Sequence, residues 1–316
     1  MRLSIRRARA RCVAMLGLAV PLTTLCAVAQ AASPAPPPTR IVSINLCADQ
    51  ILLELVDAER IAAVSHLAAD PTVSAVANQA RGLTLTRGDG EDVLRYGPDL
   101  VLASAFTPRA RVDHLRRLGM KVILVPHARD IEGIRSAIRV VADAVQARAR
   151  GDHLIARFDA TLARARKIAT RSGRAAAGSK PRAILYSVNA LAAGSYGLTH
   201  TAMTIAGLTN AAPSLGRGPG GRLPLERLLQ ANPDVILLSH AVDAYGAIAV
   251  AANLRHPAFR WLMRTRPTFV LRQAVTLCGT PKLADAIAAL ADKVARRRAG
   301  QSEQPAPPLQ PLQWAR

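Results

Sequence analysis

Aromatic side chains are scarce in this chain: phenylalanine, tryptophan and tyrosine make up 3% of its 316 residues. Lysine is scarce as well, because arginine supplies nearly all of the 42 basic residues behind the net charge of +21. Proteins that bind single-stranded nucleic acids need aromatic platforms for base stacking, and the few rings here are scattered. The arginines are also spread along predicted helical faces, so we expect no nucleic-acid partner.

The chain also lacks the motifs of the common enzyme classes, including a phosphate-binding P-loop, a zinc-protease His-Glu-x-x-His and a Cys-x-x-Cys pair. The segment 216–221 has the spacing of a dinucleotide-binding loop, but it follows no strand directly and contains Pro219. A nucleophile elbow around Ser195 is incomplete, since Ala193 stands where the first glycine is required. We therefore expect no catalysis and no cofactor, and a secreted hydrolase built on a Ser/His/Asp set is the alternative.

Residues 1–31 have the three parts of a secretory signal peptide. Five arginines precede an apolar run over residues 12–29, and Ala29 and Ala31 then offer a cleavage site between small residues. An uncleaved anchor helix is the alternative, but the run barely reaches the length of a membrane span and contains Pro21. No later apolar run reaches that length, so we predict a secreted protein.

Only two cysteines, Cys47 and Cys278, remain once the signal peptide is removed. Two thiols in an oxidising compartment tend to pair, so we predict a disulfide between them. The bond would join the two ends of the folded region. Two separate buried thiols are the alternative, because the sequence alone does not supply the geometry.

Short β-branched runs alternate with amphipathic helical segments through most of the mature chain. Such alternation predicts α/β architecture with mostly parallel sheets, and the length suffices for two lobes with separate cores. The flanking segments are rich in proline and have no apolar period, which is typical of linkers and disordered tails. The predicted parts are a linker (32–39), an N-terminal lobe (40–130), a helical connector (131–180), a C-terminal lobe (181–298) and a disordered tail (299–316).

The alternation stops between residues 131 and 171, where only helical periodicity is present. Asp130 is placed to cap a first helix, Gly151 interrupts the pattern, and Asp152 is placed to cap a second helix. That second helix would hold about 20 residues and span about 30 Å. We predict a loop from Arg171 to Lys180 after it.

An internal repeat indicates that the two lobes are related. The segments Glu91–Ser104 and Glu226–Ser239 share Glu at position one, Leu at position four and Pro-Asp at positions eight and nine, and each continues into an apolar strand that ends in Ser. The Pro-Asp pair ends a helix and turns the chain into a buried strand. Each glutamate lies in a first helical turn, so interaction with the helix dipole is one explanation for its presence.

Together with the segments Arg40–Gln50 and Glu59–Ser65, this repeat resembles the class III periplasmic binding proteins, the receptors of ferric-siderophore, haem and cobalamin importers. The resemblance covers residues 40–298. It implies two Rossmann-like lobes joined by a single long backbone helix, a stiff hinge, and a monomer located in the periplasm. It also implies an ABC permease dimer as partner and a bulky metal chelate, a ferric siderophore or cobalamin, as ligand. In the family one glutamate on each lobe docks onto permease arginines, and these positions match Glu91 and Glu226.

The resemblance places the ligand between the lobes, against the loops that follow the strands. Aromatic rings there would pack on a macrocycle or a catecholate, and cationic or polar groups would meet its polar substituents. A receptor for bare zinc or manganese is an alternative, with His66 and His240 both following strands, and a receptor that feeds a sensor is another. The predicted ligand-binding residues are Asn45, Cys47, His66, Phe106, Tyr186, Asn189, Tyr196, Arg217, His240 and Tyr245.

Overall fold

The computed structural model describes residues 36–301 apart from three internal segments, 176–178, 217–219 and 241–251. The predicted signal peptide, nearly all of the predicted tail, Arg217 and Tyr245 lie outside the described residues. From Pro37 onward the described chain forms one compact unit. Within this part of the chain, no helix combines the length and the apolar character that crossing a membrane requires.

The N-terminal lobe contains a sheet of five parallel strands in the order β3-β2-β1-β4-β5. Apolar residues fill the central strands because helices cover both faces of the sheet. In β4, Leu100 and Leu102 face one apolar layer, whereas Val101 and Ala103 face the other. The elements are β1 (Ile41–Ser43), α1 (Leu46–Leu55), β2 (Ile61–Ser65), β3 (Leu85–Thr86), α2 (Gly90–Arg95), β4 (Leu100–Ser104), α3 (Arg109–Arg117) and β5 (Val122–Val125).

The connector contains two helices, α4 (Ile131–Ala144) and the long helix α5 (Arg148–Ala175), and α5 links the lobes. Asp130 caps α4 as predicted, because its Oδ1 accepts a hydrogen bond of 2.7 Å from Gly133 N–H. The predicted bounds of the second helix are wrong: α5 begins four residues before Asp152 and continues past Arg171 into the predicted loop. Its 28 residues correspond to a length of about 42 Å.

Gly151 does not interrupt the connector but lies buried inside α5. A Cβ atom at this position would lie 2.6 Å from the Cβ of Ala142 on α4, so the missing side chain lets the two helices approach. Gly173 lies in the same helix with no other atom within 4 Å of its Cβ position. The two glycines therefore differ in their packing.

This difference predicts opposite effects of the same substitution. Gly151→Ala should lower the free energy of unfolding by about 1–3 kcal/mol through overpacking. Gly173→Ala should raise it by up to about 1 kcal/mol, because alanine favours the helix. Urea unfolding followed by circular dichroism measures both values. Changes of equal sign would contradict the packing role of Gly151.

The C-terminal lobe contains a mixed sheet in the order β11-β10-β6-β7-β9, with β8 paired to β6. The strand β10 is parallel to β6 and β11, whereas β7 is antiparallel to β6 and β9. The strands are β6 (Arg182–Tyr186), β7 (Leu191–Ala192), β8 (Thr209–Asn210), β9 (Gly221–Arg222), β10 (Val235–Leu238) and β11 (Thr268–Val270). The helices are α6 (Gly197–Ile205), α7 (Leu225–Ala231), α8 (Ala252–Arg255), α9 (Pro257–Thr265), α10 (Gln273–Thr276) and α11 (Lys282–Arg298).

The two lobes do not have fully separate cores, contrary to the expectation from sequence. One apolar cluster includes Leu100 of the first sheet and Leu237 of the second, with Phe158 and Leu162 of α5 in the same cluster. Only the outer layers are separate, one behind each sheet. Because the inner layer is shared, a large rotation of one lobe against the other would expose apolar surface, which favours a stiff hinge.

The structure confirms the internal repeat and explains its aspartates. Asp99 accepts hydrogen bonds from Thr39 N–H (2.6 Å) and Arg40 N–H (3.1 Å) at the start of β1. Asp234 accepts one from Arg182 N–H (2.8 Å) at the start of β6. Each aspartate thus fixes the neighbouring strand of its own sheet. Because both lobes use this device, the repeat extends beyond a shared helix–turn–strand pattern.

Candidate functional site

Several strands of the two sheets end in serine or are followed directly by serine. The carboxyl ends of parallel strands lie at one edge of a sheet. We call the edge formed by these ends and the loops that follow them the rim of each lobe. Contacts between the lobes join the segments that follow these ends, so the two rims face each other, and we call the region between them the cleft. The strand-end serines are Ser43, Ser65 and Ser104 in the N-terminal lobe and Ser187 and Ser239 in the C-terminal lobe.

A disulfide between Cys47 and Cys278 crosses the floor of this cleft, as the sequence predicts. The Cα atoms are 4.9 Å apart, and the bond joins the first turn of α1 to the loop before α11. Asn45 caps α1, because its Oδ1 accepts hydrogen bonds from Cys47 N–H (3.0 Å) and Ala48 N–H (3.3 Å). The Asn45 oxygen therefore positions the disulfide and is already occupied.

Gly279 continues the floor next to the disulfide. Its φ is +63°, and a Cβ atom there would lie 2.7 Å from Ala128 Cβ, 2.9 Å from Leu198 Cδ1 and 3.0 Å from Ile134 Cγ1. The loop after β5, the start of α6 and the first turn of α4 thus meet at this glycine. Only a residue without a side chain fits this junction.

Hydrogen bonds close one side of the cleft. His240 Nε2 lies 3.1 Å from the carbonyl oxygen of Thr72, and Arg272 donates from Nη2 to the carbonyl oxygen of Pro71 over 2.7 Å. Asp70 shapes this turn by accepting from Thr72, and that hydrogen bonding holds the pKa of Asp70 below its usual value. We call this set of contacts the latch, and it consists of Pro71, Thr72, His240 and Arg272. His240 is therefore engaged by the opposite lobe.

Exposed aromatic rings mark another part of the two rims. Phe106, after β4, is 68% exposed, and Tyr196, at the start of α6, is 65% exposed. The Phe106 ring contacts His127 edge-to-face, with centroids 4.9 Å apart. Sequence reasoning missed His127, which follows β5 as Phe106 follows β4. The rule that site residues follow strand ends would have found it.

Tyr186 does not belong to the cleft surface, and its predicted role in ligand packing needs correction. Its side chain has no exposed area and packs against Phe259, with ring centroids 5.2 Å apart. Burial raises the pKa of its phenol. Asn189 is exposed in a left-handed turn with φ 57°, and His66 is exposed in the turn after β2. Both remain available to a ligand.

A buried carboxyl group that sequence reasoning missed lies behind the N-terminal rim. Asp49, two residues after Cys47, is fully buried in the first turn of α1. Its Oδ1 accepts a hydrogen bond of 3.3 Å from Ser65 N–H at the end of β2. Burial nevertheless raises its pKa to about 7. The ionisation state of Asp49 is therefore linked to the position of a strand end at the rim.

The geometry gives little support to two alternative functions, a receptor for a bare metal ion and a secreted hydrolase. Among the described residues, no group of three or more histidine, cysteine or acidic side chains is placed to hold a metal ion. Ser239 Oγ lies 3.3 Å from His240 Nδ1, which is the spacing of a nucleophile and a base. Ser239 is buried, however, and its Oγ also lies 2.7 Å from Ser187 Oγ, so this hydroxyl does not face a substrate.

Two lobes with facing rims, joined by one long helix, define a two-lobed solute-binding protein. A family model described as periplasmic binding protein matches residues 41–256, and the chain belongs to this family. The family consists of solute-binding proteins that work with ABC transporter permeases. No curated protein sequence matches the chain significantly.

Solved structures confirm the class III fold that the sequence predicts. The periplasmic heme-binding protein BhuT in complex with two hemes is 25% identical, with 82% of this chain and 98% of that chain covered and a TM-score of 0.66. The periplasmic heme-binding protein RhuT from Roseiflexus sp. RS-1 is 23% identical, with 82% and 98% covered and a TM-score of 0.65. The periplasmic vitamin B12 binding protein BtuF of Vibrio cholerae is 19% identical, with 84% and 99% covered and a TM-score of 0.60.

Proposed function

We propose that this protein is the periplasmic receptor of an ABC importer for a bulky metal chelate, a ferric siderophore or cobalamin, which it delivers as a monomer to the permease dimer. The facing rims carry this proposal, because a cleft with a fixed floor and exposed aromatic rings suits a large, rigid ligand. The heme and vitamin B12 ligands named for BhuT and BtuF are metal chelates of this size and support it. The predicted signal peptide would direct the chain to the periplasm.

The paired glutamates support delivery to a permease. Glu91 lies in the first turn of α2 and Glu226 in the first turn of α7, and both are exposed. Neither forms a salt bridge with another described residue, and Glu91 lines a surface depression with Arg87 and Arg95. Exposed carboxylates at equivalent places on two lobes can each accept a two-pronged hydrogen bond from a permease arginine.

Charge reversal tests this docking assignment. We expect Glu91→Arg combined with Glu226→Arg to reduce chelate uptake by about tenfold or more, because arginine would then oppose arginine across a specific contact. Ligand affinity of the purified variant should stay unchanged, since both side chains point into solvent. Uptake by cells that carry the variant, together with titration of the isolated protein, measures the two effects.

Glu59→Arg is the matched control, because Glu59 is exposed in a turn outside the repeat. It should leave uptake intact. Normal uptake by the double reversal would contradict the docking assignment, whereas loss of uptake would also argue against a receptor that feeds a sensor.

Ligand identity is tested by native mass spectrometry of protein purified from its own periplasm and by thermal unfolding with added chelates. A true ligand present at 100 times its Kd should stabilise the protein by about 2.7 kcal/mol. Absence of stabilisation by any metal chelate would contradict the proposed function.

A further inference from the structure

We infer that Arg87 and Arg222 are docking residues that each bind a carboxylate on the permease dimer, so that each lobe presents a cation beside an anion. This inference rests on the proposed function, which assigns Glu91 and Glu226 to the same surface. It also specifies the partner, because the permease must then carry acidic groups next to the arginines that the two glutamates require.

The internal repeat extends further towards the N-terminus than the segments that begin at the two glutamates. Arg87 precedes Glu91 by four residues, and Arg222 precedes Glu226 by four residues. The pattern of exposure repeats as well, because in each lobe the arginine and the glutamate are exposed while the residue directly after the arginine is buried. The two arginines therefore occupy equivalent places in the two lobes.

Both arginines lie at the carboxyl end of a terminal strand of their sheet. Arg87 directly follows β3, the outermost strand of the N-terminal sheet, and Arg222 is the last residue of β9, which ends the order β11-β10-β6-β7-β9. Strand β9 is antiparallel to β7, and β7 is antiparallel to β6, so β9 runs in the same direction as β6. The Arg87 N–H also donates to Asp92 Oδ2 over 3.1 Å. Both arginines therefore lie at the rims, on backbone that is held in place.

The two guanidinium groups have no partner of their own in the described part of the protein. Neither Arg87 nor Arg222 donates a side-chain hydrogen bond there or takes part in one of its salt bridges. Arg95 on α2, by contrast, pairs with Asp92 on the same helix. On a chain with a net charge of +21 an unpaired arginine is no argument by itself, so the matched placement in both lobes is the observation that counts.

In each lobe the arginine lies close to the glutamate. Arg87 and Glu91 line the same surface depression. In the C-terminal lobe, burial raises the pKa of Tyr186, the charge of Glu226 raises this pKa further, and the charge of Arg222 lowers it, so both charges lie near one phenol. Opposite charges side by side make the attraction of a partner depend on its orientation.

A partner that fits both lobes must carry two kinds of charged group. A guanidinium on the partner can bind the glutamate, and a carboxylate on the partner can accept a two-pronged hydrogen bond from the arginine. Because the arginine and the glutamate have the same spacing in both lobes, two identical subunits related by symmetry can each meet one lobe. A wrongly oriented partner would bring like charges together, so the arginines add specificity to the contact.

The double reversal Arg87→Glu/Arg222→Glu tests the inference. We expect chelate uptake by cells that carry this variant to fall by about tenfold or more, because a carboxylate would then oppose a carboxylate. Hemin, ferrioxamine B and aquocobalamin are the uptake probes. The conservative variant Arg87→Lys/Arg222→Lys keeps the charge and should lose less uptake than the reversal. Each purified variant should bind the same probes with wild-type affinity, which also shows that it is folded.

The matched control is Arg95→Glu/Arg227→Glu. It makes the same change of charge on α2 and α7, the helices that carry the two glutamates, and both side chains are exposed. Neither position has an arginine at the equivalent place in the other lobe. The control should therefore keep uptake near that of the wild type.

Each result decides a different claim. Wild-type uptake by Arg87→Glu/Arg222→Glu would overturn the inference, and loss of uptake by Glu91→Arg/Glu226→Arg alone would leave the proposed docking standing. An equal loss in the control would assign the effect to net charge, which also overturns the inference. Weaker probe binding by the purified reversal would place the arginines in the ligand site instead. A wild type that binds and imports none of the probes would contradict the proposed function and the inference with it.

Discussion

The double variant Cys47→Ala/Cys278→Ala is expected to unfold with a free energy about 5 kcal/mol lower than that of the wild type. The bond joins residues 231 positions apart, so it restricts nearly the whole folded chain in the unfolded state. The entropy of closing a loop grows with the logarithm of its length, which places this disulfide near the upper end of such effects. The loss should exceed that of any single substitution proposed above.

Urea unfolding with and without a reducing agent measures this effect. Reductant should destabilise the wild type by a similar amount and leave the double variant unchanged, which makes the variant its own control. Because the bond also crosses the cleft floor, ligand affinity should fall in parallel. A wild type that is indifferent to reductant and equal in stability to the double variant would contradict the contribution of the disulfide.

Local sequence patterns predicted most of the N-terminal sheet. Strands β1, β2, β4 and β5 are runs of mostly apolar residues, and this composition is visible without any tertiary information. The first three are largely buried on both faces, whereas Leu124 of β5 is exposed. The two-residue strand β3 was missed because it has no apolar period of its own. It forms by pairing with β2, through the register of Val64 with Leu85.

The connector shows where local propensity fails. Gly151 favours a break when the helix is considered alone, because glycine costs conformational entropy. In the folded protein its missing side chain permits the contact with Ala142, and the gain from packing decides the outcome. No pattern within the helix reveals a partner on α4, so the true start of α5 could not be predicted from it.

The cleft was predictable only as far as strand ends reveal it. Phe106 and His66 were found because they follow strands, and the same rule applied to β5 points to His127. Tyr186 was assigned to the ligand although it shares a strand face with Ile184, and both belong to the outer core layer. The two-residue period of a strand was sufficient to place its ring in the core.

The latch could not be predicted at all. Its two hydrogen bonds join residues 168 and 201 positions apart, and both acceptors are backbone carbonyl groups, which carry no sequence signature. Such contacts depend on how the lobes face each other. They are consequences of the complete fold and not of any segment.

The substitution Asp49→Asn is expected to stabilise the protein at neutral and alkaline pH but not in acid. In the folded protein the pKa of Asp49 is raised from 3.8 to about 7 by burial. Above pH 3.8 the unfolded chain releases this proton while the folded chain keeps it, so stability falls as the pH rises. The loss is complete above the folded pKa and amounts to about 4 kcal/mol, at 1.36 kcal/mol for each unit of difference.

Asparagine keeps an oxygen that can accept the hydrogen bond from Ser65 N–H, but it cannot ionise. The difference in unfolding free energy between Asp49→Asn and the wild type should therefore be near zero at pH 4, grow up to about pH 7 and then stay constant. Urea unfolding at a series of pH values measures it. Asp152→Asn, at an exposed position on α5, is the control and should show no comparable trend. If the Asp49→Asn difference did not depend on pH, the carboxyl group would not be desolvated in the folded state, and its link to the rim at Ser65 would have no basis.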